Sequence, residues 1–238
     1  MKTITDQTAA KAIARFGLER KLDNWKRPHG VFRKVRQLVR ERDQIIRERT
    51  MAKNQLHAEQ AEADPHDSTL TRLKTRIAFL DAQEGDIKEE VNSMIKQSTQ
   101  VAQMVKQLCT IPGIGSLTAA IILAETNGFD MIRNRRQLAS YAGFDVKEKQ
   151  SGTSVKGKPS ISKRGNRYLR KAMHLPALAA IRHSESFKRL YVRLVSRHGI
   201  KMKAAVAVQR KLLELAYTLF KTTSDYKENY LAPEKVAA

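Results

Sequence analysis

The sequence is short of cysteine, of long apolar runs and above all of acids, and each shortage excludes something. A single cysteine, Cys109, in 238 residues cannot close an internal disulfide, and with six scattered histidines it offers no zinc-ligand spacing. No stretch approaches the ~20 apolar residues that span a bilayer. The opening MKTITDQTAAK also lacks the apolar core of a signal peptide. A cytoplasmic chain without a membrane partner is the expectation. Glycine is scarce in one region only: Gly85 stands alone between Val31 and Pro112, whereas seven of the 11 glycines fall from Gly113 to Gly165. Long helices are therefore expected first, and short helices with loops after them.

The shortage of acids says most about partners. Lys and Arg number 45 against 24 Asp and Glu, which leaves +21 and a pI near 10.3. A chain this basic is suited to a polyanion, because each cation placed near a phosphate releases a condensed counterion. Balanced charge would keep a protein soluble equally well. The 41% hydrophobic content is that of a globular protein, so the charge does not reflect general disorder.

The spacing predicts an all-α protein, a long helical hairpin or coiled coil followed by a small helical domain. Residues 7–25 begin as an Ala-rich helix that Gly17 is placed to end, with Leu18, Leu22 and Trp25 continuing at helical spacing. From Val31 an apolar stripe runs through Val35, Leu38, Ile45, Ala52 and Leu56, interrupted by Arg42 and Arg49. After a turn at 62–69, which Asp67 or Ser68 could cap, a second stripe runs from Leu70 to Leu108, broken only by Glu84 and Ser98. Stripes this long need a partner helix. A homo-oligomeric coiled coil and an intramolecular bundle fit the pattern equally.

Pro112-Gly113-Ile114-Gly115 between two helical runs looks like a helix-hairpin-helix, a backbone-binding DNA motif. Glycines at 113 and 115 would let main-chain amides approach a phosphate with no Cβ in the way. The helix that follows would aim its positive end there. A plain glycine turn between core helices is the alternative. Downstream, Met131 to Lys171 holds twelve Lys or Arg against Asp145 and Glu148. Gly157, Pro159 and Gly165 suggest an irregular basic loop, and Arg167, Arg170 and Lys171 recur at a spacing that shares one helix face. Lys156, Lys158, Lys163, Arg164 and Arg167 could hold a phosphate beside Ser151. Composition stops at binding, because a serine hydroxyl is a poor nucleophile without an activating group, and most serines in such loops form turns. His174, on the next helix, is the nearest histidine downstream.

These blocks carry a resemblance. IPGIG, LASYAGFDVKEKQSG, Gly157, ISKRGNRYLRKAM and HSESFKRLYVRL, within residues 105–194, resemble the C-terminal domain of insertion-sequence transposases of the IS110/IS116 family, which includes pilin-gene invertases. Upstream, ERKLDNWKRP and RERDQIIRERTMAKNQLHAE are similar to the family's central region. The family joins a RuvC-like domain with four acidic metal ligands, a coiled coil, and a domain with a catalytic serine. The resemblance implies that Ser151 is that serine, attacking a DNA phosphate to form a phosphoserine intermediate. It also implies Mg2+, and an element-encoded guide RNA as a further partner. Where the family usually shows Thr-Asp-x-x-Asp-Ala, this chain reads Thr5-Asp6-Gln7-Thr8-Ala9-Ala10, so only Asp6 matches and the other ligands would lie outside it.

The expected organisation is therefore a remnant of the acidic domain at 1–30, the helical hairpin at 31–108, the helix-hairpin-helix and serine domain at 109–225, and a tail at 226–238. The expected function is a DNA transposase, as an N-terminally truncated and nucleoid-associated copy. The alternative is a non-enzymatic coiled-coil protein that binds DNA or RNA.

Overall fold

The computed structural model describes residues 5–20, 29–151 and 155–228. Among them, ten helices and one two-stranded sheet follow in order: α1 (Asp6–Glu19), α2 (Gly30–Gln60), α3 (Asp67–Lys96), α4 (Thr99–Cys109), α5 (Ser116–Thr126), α6 (Arg135–Ala142), β1 (Val146–Ser151), β2 (Val155–Ile161), α7 (Arg167–Ala172), α8 (His174–His183), α9 (Glu185–His198) and α10 (Lys201–Thr222). The protein is all-α apart from that hairpin.

α1 starts with a capping box in which Thr5 and Thr8 each satisfy the other's backbone amide. It runs through Gly17 to Glu19, against the expectation that Gly17 ends it. A lone helical glycine costs only about 1 kcal/mol, and nothing crowds this one. Leu22 and Trp25 lie outside the described residues. No residue of α1 is buried.

α2 and α3 pack against each other as an antiparallel hairpin within one chain. The turn differs in detail from expectation: His66 stands at the N-cap and Asp67 is already the first helical residue. The interruptions of the two stripes find each other across this hairpin. Glu84, only 6% exposed, accepts from Arg42 at 2.6 Å and Lys88 at 2.8 Å, and also from Arg49. Arg49 binds Asp81 as well. The other break, Ser98, accepts from the amide of Val101 and caps α4, so the expected single helix to Leu108 is two helices with a joint at Gln97–Ser98. Above the joint, Val91, Ile87 and Leu80 are buried with Val35 and Val39 of α2. Each such side chain contributes about 1.5–3 kcal/mol by leaving water.

The base of the hairpin joins one continuous core with α4, α5, α6, α8 and α10. α5 lies at its centre, with Ala119, Ile122, Leu123 and Ala124 fully buried. Phe129 packs edge-on against Tyr217 and tilts against Phe220, closing the core over α10.

The expected irregular basic loop is a β-hairpin. β1 and β2 pair antiparallel from Val146↔Ile161 to Ser151↔Val155. The register jumps from Lys147↔Ser160 to Lys149↔Gly157. One residue of β1 thus faces Lys158 and Pro159 together, a bulge that absorbs the proline's missing N–H. Proline also biases Lys158 towards extended backbone, and Val146, Val155 and Ile161 are β-branched.

Burial alone would push the Glu84 carboxyl up, but the hydrogen bonds from Lys88, Arg42 and Arg49 outweigh it and hold it at about 2, below its ordinary 4.5. That stabilisation is complete above pH 4.5 and is lost as pH falls through about 2. Glu84→Gln should cost about 3 kcal/mol at pH 7, since it leaves partly buried cations uncompensated. In urea titrations from pH 7 to 2, the gap between variant and wild type should narrow below pH 4.5. A gap that stays constant would rule out this carboxylate as the clamp.

Candidate nucleic-acid interface

Glu125 is the acid that ends an otherwise apolar run, AAIILAE, and it is fully buried. Its carboxylate takes both ends of the Arg40 guanidinium from α2, at 2.9 and 2.8 Å, and the Asn166 side-chain amide at 2.6 Å. The Tyr141 hydroxyl donates to the Glu125 main-chain carbonyl at 2.9 Å. The carboxylate's hydrogen bond holds the Arg40 guanidinium above its ordinary pKa, against the opposing effect of burial. Arg40 lies 4.7 Å from the Tyr168 ring centre and Arg167 lies 4.9 Å from it, so one aromatic ring serves two cations.

This network fixes the strap that links β2 to α7. Along the strap, Ser162 donates to Asp145 O at 2.7 Å, Lys163 to Gly143 O at 3.1 Å, and Asn166 to Tyr141 O at 2.6 Å. Gly165 sits at φ +137°, where a Cβ would come within 2.5 Å of Tyr141 O. The non-glycine Lys163 also adopts a left-handed φ of 54°. The base of the β-hairpin is thus pinned to the end of α6.

The predicted cations separate on this frame. Lys163, Arg164 and Arg167 are exposed around the strap. Arg170 turns inward and donates to Ala142 O at 2.7 Å, while Lys171 pairs with the buried Asp43 of α2. Arg167, Arg170 and Lys171 keep the i, i+3, i+4 spacing on α7, but the last two are engaged by groups of the fold, which leaves Arg167 the most open of the three. The start of α7 is not open to an anion either: Asn166 Oδ1 already accepts from the amides of Tyr168 and Leu169, at 3.0 Å each. Ser151 ends β1, opposite Val155, and Lys156 and Lys158 lie along β2. The side chains of these three, and all of residues 152–154, lie outside the described part of the structure. His174 Nδ1 is within 3.1 Å of the buried Gln209 amide, a contact inside the fold.

At the turn between α4 and α5, Gly113 has a reason that spacing did not reveal. It adopts φ +86°, and a Cβ there would meet the Pro176 carbonyl of α8 at 2.2 Å. The bare Cα thus admits a neighbouring helix. Gly115 is exposed, has open space where a Cβ would stand, and begins α5 without a side-chain cap. Asp6 is exposed in the first turn of α1. Among the described residues no three His, Cys, Asp or Glu side chains gather as a metal site, so Asp6 offers one ligand and not a set that fits Mg2+.

Sequence reasoning missed Arg40, Glu125, Tyr141, Asn166 and Tyr168 as a unit. The available signal was the one charge inside the most apolar helix. Asparagine and aspartate cap helices equally well, but at position 166 an aspartate would set a second carboxylate against Glu125. Asn166→Asp should therefore destabilise the protein more than Asn166→Ala at pH 7, by about 1–3 kcal/mol, with the excess shrinking in acid. Guanidinium unfolding of both variants at pH 5 and 7 measures this. Equal costs at both pH values would remove Glu125 from the account.

Residues 105–192 match the family model described as "Transposase IS116/IS110/IS902 family". The chain is 26% identical over 226 residues to the pilin gene-inverting protein of Moraxella bovis, covering 93% of this chain and 67% of that protein. It is 30% identical over 162 residues to the transposase for insertion sequence element IS1111A of Coxiella burnetii, covering 66% and 43%. Over 172 residues it is 24% identical to an uncharacterized 43.6 kDa protein of insertion element IS110 from Streptomyces coelicolor, covering 72% and 41%. The chain thus spans about two thirds of the pilin gene-inverting protein's length and less than half of the other two. The helices, strands and strap of residues 105–192 thus form a domain that matches the IS116/IS110/IS902 transposase family.

Proposed function

We propose that the chain binds DNA and takes part in cutting and rejoining it, with Ser151 as the nucleophile. The observation that carries this reading is the family match, which runs through Ser151 and through the most cation-rich part of the sequence. Ser151 stands where β1 reaches the hairpin tip, and Lys163, Arg164 and Arg167 are exposed at the hairpin's base. Lys156 and Lys158 belong to the strand between them.

In the proposed step the Ser151 oxygen bonds to phosphorus, one phosphorus–oxygen ester bond to deoxyribose breaks, and the leaving oxygen takes a proton. The serine's own proton passes to water. One ester replaces another, so rejoining needs no external energy source. The surrounding cations spread the charge that develops on the phosphoryl oxygens. No part of this step is routed through a metal.

The turn at Gly113–Gly115 is proposed to contact the backbone through the amides at the start of α5, with Gly113 holding the turn against α8. A structured RNA would suit the same cations. A second copy could meet the hairpin arm, where Met51 and Phe79 are 56% and 62% exposed.

Two outcomes are expected. Affinity for duplex DNA should fall roughly 1,000-fold or more between about 50 and 200 mM salt if six or more phosphates are contacted. A flat response would contradict DNA binding. Ser151→Ala should keep that affinity within about twofold and lose a covalent protein–DNA adduct trapped on a nicked duplex. An adduct that persists in the variant excludes Ser151. Binding without any adduct in the wild type supports the non-enzymatic reading.

A further inference from the structure

A second concentration of uncompensated charge lies away from the strands, at the corner where α9 meets α10. α9 buries Phe187 and half-buries Leu190 and Tyr191 against the core. Its outer face carries Arg189, Arg193 and Arg197 at four-residue steps, hence as a ridge with roughly 6 Å between successive charges. Lys201 and Lys203 add two exposed cations just beyond it, in the first turn of α10.

The acids that could neutralise this ridge are nearly absent. Glu185 is the one acid of α9; it stands at the helix start and is engaged by Arg189 at 3.4 Å and Lys188 at 3.9 Å. The next acid in the sequence is Glu214, which already binds Arg210 at 2.8 Å. Arg193, Arg197, Lys201 and Lys203 are exposed and have no acidic partner among the described residues. Two of them occupy a helix beginning, where the backbone dipole disfavours cations, and Ile200 supplies no side-chain cap. This arrangement is unfavourable to the chain alone and favourable with an extended anion in place. His198, between the two helices, reports the same local field: lost hydration and then the charges of Lys203 and Arg197 lower its pKa.

We propose that the ridge of Arg193, Arg197, Lys201 and Lys203 is a second binding surface for a phosphodiester backbone, distinct from the β-hairpin and its strap. The two surfaces sit on different supports. α9 packs on α8 and α10, whereas the strands rise from the end of α6 and lead into α7. A nucleic acid that engages both is held across α8 instead of at one point. The regular spacing along a helix suits a repeating polyanion better than a single phosphate. This inference rests on the proposed nucleic-acid binding and adds a second contact to it.

The test compares the full chain with a variant carrying Arg193→Ala, Arg197→Ala, Lys201→Ala and Lys203→Ala. Binding to a short DNA duplex, and to an RNA duplex of matching sequence, is measured across salt concentrations. Each lost phosphate contact lowers the log–log salt slope by about 0.9 on B-DNA. A slope reduced by about 2–4 on either duplex supports the ridge, and the duplex affected identifies the backbone. A wild type that binds while the variant keeps its slope overturns the ridge alone. A wild type that binds neither duplex overturns the ridge and the proposed function together. Should the variant unfold, amine acylation of the wild-type chain decides: protection of Lys201 and Lys203 by duplex supports the proposal, and unchanged labelling overturns it.

Discussion

Much of the structure hangs on one carboxylate that has no water. Glu125 lies in the last turn of the core helix α5, fully buried, and an ionised carboxyl there costs several kcal/mol unless it is fully paired. Arg40 and Asn166 supply the pairing from opposite sides, one from the long α2 and one from the strap before α7. The requirement is geometric as well as electrostatic. A bidentate guanidinium and a side-chain amide can reach the same oxygens in few arrangements. The arm, the core helix and the strap are thereby set relative to one another. Asn166 also caps α7, so the same residue that satisfies the buried acid fixes where the next helix begins.

The arm repeats this logic further out. A stripe of apolar side chains would let two helices slide by a turn with little penalty. Glu84 prevents sliding, because only one register brings it between Arg42 and Arg49. Asp43 does something similar at the arm's root, where it receives Arg47 along its own helix and Lys171 from α7. Cations that count towards the chain's large positive total are thus of two kinds. Some, such as Arg40, Arg42, Arg170 and Lys171, hold elements together. Others, such as Lys163, Arg164, Arg193 and Arg197, face solvent with no acid beside them among the described residues.

That division explains what was legible in the sequence. The helical class, the two long helices and the turn at 110–115 followed from periodicity and glycine placement, because those signals are local. The interruptions at Arg42, Arg49, Glu84 and Ser98 were visible as irregularities, but their meaning required knowing which helix faces which. The β-hairpin was hidden by Gly157 and Pro159, residues that normally argue against a strand; a bulge accommodates them. Arg170 and Lys171 follow Arg167 at helical spacing, but spacing could not show that the Ala142 carbonyl and Asp43 engage them. The Glu125 network was the least legible, since its members, Arg40 to Tyr168, are up to 128 positions apart and meet only once the core has formed. The nucleophilic role expected of Ser151 came from the family resemblance, because local composition stopped at phosphate binding.

The bulge has a consequence for how the protein behaves in company. A two-stranded ribbon has two unpaired edges, and open edges invite strands from neighbouring molecules. On β2, the bulge at Lys158–Pro159 spoils the regular spacing that an incoming strand would need. Lysines recur along both strands and would set like charge against like in any stacked pair. The ribbon can therefore sit at high local concentration beside copies of itself and still resist sheet-like aggregation.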